Sequence, residues 1–441
     1  MSNASTFKVR HLGSDEVFER HDVFINPNSL DAPPTGASMD PDLIAFHQAF
    51  PESKATPLIE LPQVAQELGI GHVYVKDESL RFGLPSFKIL GASWGVFRAV
   101  CEKTSLPSSS SLEEAGHAAQ KAGISLVTCT DGNWGRAIAR TAKYLGIKAT
   151  IHVPKTMDEA TRAKLRDEGA IVNAVNGSYD DSIAAAMKES ERSKSMLVMD
   201  TSWEGFERMP KWVVEGYATM HAEDDRQLEE TCGKRPTLCI ASVGVGSWAQ
   251  SVVNHYTEDG SSTKIVTVES EAAPCLMESL HNKKIVSVET GSTIMDGMNC
   301  GTVSTNTWPT LSTGVYASVV VNDLESHRDV LYLNNHGVNA GPCGAAPLAA
   351  LRKLHKRGVL LSDPEAVVVL FSTEGYRDYV VSRLVEGLIL VDGSADLRDI
   401  VRFEAQADAS WLNACQNVVV ETCAAGDTFN ALCRAQCTFL P

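Results

Sequence analysis

One lysine in the chain stands where its chemistry would be hard to waste. The segment Arg81–Ser93 places Lys88 at a loop-to-helix junction, between Phe87 and Ile89-Leu90-Gly91-Ala92. Burial among such apolar and small residues lowers the pKa of an ammonium, and a neutral amine condenses with an aldehyde to form a Schiff base. The obvious aldehyde is pyridoxal phosphate. A lysine in this position can also lay its stem along the first helical turn and keep its head in water. The rest of the chain has to decide between the two.

Four further segments carry residue types that suit such chemistry. Thr130-Asp131-Gly132-Asn133-Trp134-Gly135 follows the apolar run Leu126–Cys129 and opens a helical stretch. Successive amides at such a turn bind an anion, for which a substrate carboxylate is a natural guest, and Asn133 adds an amide able to contact a ring hydroxyl. The same residues also make an ordinary turn with Asp131 as a helix cap. Ser242-Val243-Gly244-Val245-Gly246-Ser247-Trp248-Ala249 again joins a strand to a helix, and its glycines let the backbone approach a phosphate. Gly244, Gly246 and Ala249 equally satisfy the dinucleotide fingerprint, with Glu269 closing the next strand, so a nicotinamide oxidoreductase competes. Leu197–Met199 runs into Asp200, a carboxylate at a strand end that can move a proton or cap the next element. Phe371 runs into Ser372, whose hydroxyl can meet a ring nitrogen or serve the structure alone.

The elements that must position these groups alternate. Apolar runs at Val73–Val75, Leu126–Cys129, Ala149–Val153, Ala170–Val175, Leu197–Met199, Leu238–Ala241, Ile265–Val268 and Val367–Phe371 read as buried parallel strands. Helix-period stretches at Gly91–Cys101, Trp134–Leu145, Asp158–Glu168 and Ser178–Ser193 lie between several of them. This alternation predicts an α/β fold with mostly parallel sheets and ligands at the carboxyl ends of the strands.

The 441 residues exceed one small core and predict two domains. A net charge of −16 excludes the basic footprint of a nucleic-acid binder. No apolar run approaches the ~20 residues that span a bilayer. The first twenty residues lack a secretory core segment, which leaves a cytoplasmic expectation. The eleven cysteines form no CxxC or zinc-finger spacing, so no metal is expected.

Taken together, these motifs resemble fold type II pyridoxal-phosphate enzymes, the tryptophan synthase β-like group, and within it the diaminopropionate ammonia-lyase family. The resemblance runs from about Phe46 to Gly375. It implies a Schiff base at Lys88 and cofactor contacts from Phe87, Asn133, Gly244, Val245, Gly246, Ser247 and Ser372. It also implies acid/base work by Lys88, Asp131 and Asp200, with substrate contacts from Thr130, Asp131, Gly132, Trp134 and Asp200. An acid at 131 is typical of the ammonia-lyase branch, where other fold type II enzymes carry a small hydroxyl residue. The implied reaction is α,β-elimination of ammonia from 2,3-diaminopropionate or a similar β-substituted amino acid. A dehydratase, a β-replacement enzyme or a racemase with the same cofactor is the alternative.

The resemblance further implies a homodimer of subunits with a discontinuous large domain (1–90 and 207–376) and a small domain (91–206). Cys275 and Cys300 match two family cysteines that can pair. Trp134 departs from the family's usual histidine. The chain also continues from 377 to 441, where the family's chains end soon after Gly375.

Overall fold

The computed structural model describes residues 5–31, 40–130, 132–177, 179–257 and 261–379. Asp131 and the stretch 380–441 lie outside them. Two of the sheets formed by the described residues organise the fold. The larger has seven strands in the order Val23–Ile25, Ala317–Val321, Lys264–Ser270, Leu238–Ser242, Val367–Ser372, His72–Asp77 and Leu58–Glu60. Its five inner strands are parallel and its two edge strands antiparallel. The smaller, all parallel, runs Ile171–Val175, Ala149–Pro154, Leu126–Cys129 and Met196–Leu197. The N-terminus adds a hairpin, Thr6–Arg10 with Val17–His21.

Continuous apolar runs form these inner strands because both faces are covered. Along Val367–Ser372, Val367, Val369 and Phe371 join one core while Val368 and Leu370 join the other. Side chains alternate across a strand, so one run feeds two hydrophobic layers. Each fully buried aliphatic side chain contributes roughly 1.5–3 kcal/mol. The eight runs expected as strands all contribute, although Leu197–Met199 is paired as Met196–Leu197 only. The strand Ala317–Val321 and the short edge strands were not among them.

The helix Lys88–Thr104 follows the strand His72–Asp77 and is buried at most positions beyond its first residue, with Trp94 and Phe97 fully enclosed. It packs on the helices Arg208–Gly216 and Asn133–Leu145. The first contact is backbone to backbone. A Cβ at Gly91 would lie 2.7 Å from the Val213 carbonyl oxygen, and one at Gly216 would lie 2.6 Å from that of Leu90. Glycine at these two positions lets the helices touch. The helix bearing Lys88 is thereby fixed at its first turn.

Candidate active site

All the singled-out loops leave carboxyl ends of parallel strands, as the alternation predicted. Lys88 is the first residue of its helix and is half-buried. Its Nζ donates to Asp200 Oδ2 at 2.8 Å, and the centroids of the Phe87 and Trp134 rings lie 5.8 and 5.9 Å from it. Here one expectation is corrected. Burial does work against the ammonium, but the Asp200 carboxylate more than offsets it, and the Lys88 pKa is raised above that of an ordinary lysine. In this structure Lys88 is half of an ion pair rather than a neutral amine.

The loop after Leu126–Cys129 is shaped by Thr130. Its buried Oγ1 accepts from the amides of Gly132 (2.9 Å) and Gly135 (3.1 Å), so this hydroxyl organises the turn. Gly132 is the N-cap and Asn133 the first residue of the helix Asn133–Leu145. Asn133 Nδ2 donates to Glu374 Oε2 at 3.1 Å. The Trp134 indole is buried, and its Nε1 donates to Thr128 Oγ1 at 3.1 Å. Its polar edge is thus occupied.

The glycine loop joins Leu238–Ser242 to the helix Ser247–Tyr256. Gly246 has φ 96°, a left-handed value that favours glycine, and it is the N-cap. A Cβ at Gly244 would lie 2.8 Å from the Gly297 carbonyl oxygen. Among the described residues, no acceptor is recorded for the amides of Gly244, Val245, Gly246 and Ser247. Such free amides at a helix N-terminus suit a phosphate. The loop is tied to the Asp200 segment through Ser304, whose amide donates to Val245 O at 2.9 Å and whose Oγ lies 2.7 Å from Ser202 Oγ.

Ser372 closes the strand Val367–Ser372 with a fully buried side chain, and its Oγ has no partner among the described residues. A buried hydroxyl left unpaired is costly, so it is expected to have a partner in the working protein. The nitrogen of a pyridine ring would supply one. The residues present therefore fit pyridoxal phosphate, with amides for the phosphate, an orphaned hydroxyl for the ring nitrogen and an amine for the aldehyde.

The dinucleotide alternative fails at its acid. Glu269 is buried and accepts from the amides of Leu276 (2.7 Å) and Met277 (2.8 Å), where the helix Cys275–Asn282 begins. Burial raises its pKa to about 7, and the carboxyl serves a helix end rather than a ribose. Cys275 and Cys300 flank Gly244, and the buried Cys275 Sγ donates to Gly244 O at 3.7 Å. Burial pushes the Cys275 thiol pKa well up, which keeps it protonated.

Two site residues escaped the sequence reading. Glu374 lies two residues past Ser372 and carries no motif of its own. Tyr217 follows the helix that packs on Gly91, and its ring lies 4.9 Å from Phe87. Its buried hydroxyl has no partner among the described residues, and its pKa is raised, chiefly by burial. No local pattern marks it.

A lysine at a helix start beside a parallel sheet, facing a glycine loop that can receive a phosphate, defines a fold type II cofactor-dependent enzyme. The chain belongs to the pyridoxal-phosphate dependent enzyme family, which it matches over residues 50–373. It is 32% identical to diaminopropionate ammonia-lyase of Salmonella typhimurium over 356 residues, covering 76% of this chain and 88% of that enzyme. The crystal structure of the Escherichia coli diaminopropionate ammonia lyase with an aminoacrylate-PLP azomethine reaction intermediate is similar at a TM-score of 0.72 and 29% identity, covering 84% of this chain and 95% of that one. The same enzyme in complex with D-serine gives 0.71 and 28%, with the same coverage.

Proposed function

We propose that the chain removes ammonia from 2,3-diaminopropionate or a similar β-substituted amino acid, leaving a 2-oxo acid. The observation that carries this reading is the Lys88–Asp200 pair at 2.8 Å, an amine and a carboxylate together at the meeting of the strand ends. When bound, pyridoxal phosphate supplies an electron sink for a carbanion at the substrate's Cα. Gly244, Val245, Gly246 and Ser247 hold its phosphate, Ser372 its ring nitrogen, Asn133 its ring hydroxyl, and Phe87 packs beside Lys88. Lys88 is its attachment point and, as a free amine, the acceptor for the Cα proton.

Asp131, placed by sequence alone, is a second proton acceptor. With two acceptors, both D and L substrates are usable. The Thr130–Gly132 turn borders the substrate, with the Gly132 amide turned to Thr130 Oγ1, and Trp134 walls the pocket. Asp200 holds the β-ammonium, which departs as neutral ammonia and needs no further proton. The complex of the similar Escherichia coli enzyme with D-serine supports the use of D substrates.

The reading extends to a cytoplasmic homodimer. Among the described residues no helix is long and apolar enough to cross a membrane. The large domain would comprise 1–90 and 207–376, and the small domain, 91–206, would carry the four-stranded sheet and close over the substrate to exclude water. The test is an assay of 2-oxo acid and ammonia release across D- and L-diaminopropionate, serine and threonine. Faster release from serine or threonine would replace this reading with a dehydratase.

A further inference from the structure

We infer that Glu374 is a positioning residue that fixes the Asn133 side chain, and that Arg377 in turn holds Glu374. The inference rests on the cofactor reading above. Glu374 is 4% exposed, and a carboxylate so buried needs its oxygens satisfied. Oε2 accepts from Asn133 Nδ2 at 3.1 Å, and Oε1 accepts from the Cys343 amide at 3.1 Å. Arg377 Nε lies 3.8 Å from Oε1, while Arg377 Nη2 lies 2.9 Å from Asp296 Oδ2. The Glu374 backbone is also pinned. Its carbonyl accepts from the Gly341 amide at 2.9 Å, and it forms a bridge with Ser86, two residues before Lys88.

An ionised carboxylate only accepts, so it can face the nitrogen of the Asn133 amide and not its oxygen. Glu374 therefore sets which way round this amide sits. One N–H is spent on Glu374 and the second remains as a donor, which is what the ring oxygen of the cofactor requires. Arg377 lies three residues beyond Glu374 in the chain. It links Glu374 to the Asp296 turn, whose neighbour Gly297 abuts Gly244.

The test is a double-variant cycle on the cofactor-loaded enzyme, read by absorption spectrum and kinetics. Glu374→Gln offers one acceptor and one donor where the carboxylate offers two acceptors, so it cannot satisfy both Asn133 and the Cys343 amide. We expect a displaced visible cofactor band and a kcat lower by about 10- to 100-fold, the worth of one hydrogen bond to a charged group, with KM nearly unchanged. Combined with Asn133→Ala, Glu374→Gln should add little, because both act on one contact. Arg377→Met should move the band in the same direction and by less. An unmoved band in Glu374→Gln, or effects that multiply with those of Asn133→Ala, overturns the inference.

If Glu374→Gln fails to fold by circular dichroism, Arg377→Met takes its place in the cycle. Arg377 is 28% exposed at its side chain, and multiplication with Asn133→Ala then overturns the inference equally. A wild-type protein that forms no lysine-linked cofactor band sinks the proposed function instead. A wild-type band with multiplying variants sinks only the role of Glu374.

Discussion

Lys88 Nζ and Asp200 Oδ2 are 2.8 Å apart although 112 residues separate them in the chain. The pair stores the lysine as an ammonium, which cannot attack an aldehyde. Cofactor attachment therefore requires the proton to leave Lys88, and Asp200 sets how hard that is. Asp200→Asn removes the neighbour that raises the Lys88 pKa and leaves burial, which lowers it. In the cofactor-free variant, labelling of Lys88 by an amine reagent, followed by peptide mass spectrometry, should begin at lower pH than in the wild type. An unchanged or higher onset would show that Asp200 does not control this amine. Lys88→Ala should abolish both the borohydride-reducible cofactor link and activity.

Ser372 makes an asymmetric prediction. Its Oγ is buried without a partner among the described residues, so Ser372→Ala removes an unsatisfied group from the cofactor-free protein. The melting temperature of that form should stay level or rise. Affinity for pyridoxal phosphate, measured by tryptophan fluorescence titration, should fall by about 10-fold for the loss of one hydrogen bond. A large drop in the melting temperature with unchanged affinity would assign Ser372 to structure alone.

Asp131 stands in the chain between Thr130 and Gly132, and Thr130 Oγ1 accepts from the Gly132 amide. Asp131→Asn keeps the size of the side chain and removes its basicity. The cofactor band should persist, while turnover of at least one diaminopropionate enantiomer falls by on the order of 100-fold or more, the worth of a general base. Equal and small losses for both enantiomers would leave Lys88 as the one base.

How much of this was legible depends on distance along the chain. The inner parallel strands announce themselves because burial on both faces removes polar residues from the run, as in Val367–Phe371. Ala317–Val321 is as apolar but ends in no chemical motif, and the two-residue pairing at Met196–Leu197 is too short for any period to register. The glycine loop and the Lys88 junction were readable because local backbone geometry demands particular residues there. Pairs such as Asn133 with Glu374, 241 residues apart, are created only when two strand ends meet. The raised Lys88 pKa was missed for the same reason, since its cause is a residue from the other sheet.

His47 gives the fold a dependence on pH that is separate from the chemistry. It is fully buried beneath the first turn of the Lys88 helix. Its Nε2 lies 3.1 Å from Leu90 O, which can only accept, so Nε2 carries the proton. Nδ1, at 2.6 Å from Thr219 Oγ1, is then the acceptor, and the neutral ring is satisfied. Burial, aided by the Arg81 charge, lowers its pKa to about 3, against 6.5 for an ordinary histidine. A group depressed in the folded state stabilises it above the unfolded pKa and loses that contribution as pH falls. Native stability should therefore decline from pH 6.5 toward 3 with a slope from this residue of up to about 1.4 kcal/mol per pH unit. His47→Gln, less stable at neutral pH, should show a shallower decline over that window in denaturant titrations. An equal slope in the variant would mean that other groups, not His47, bind the protons that unfold the protein.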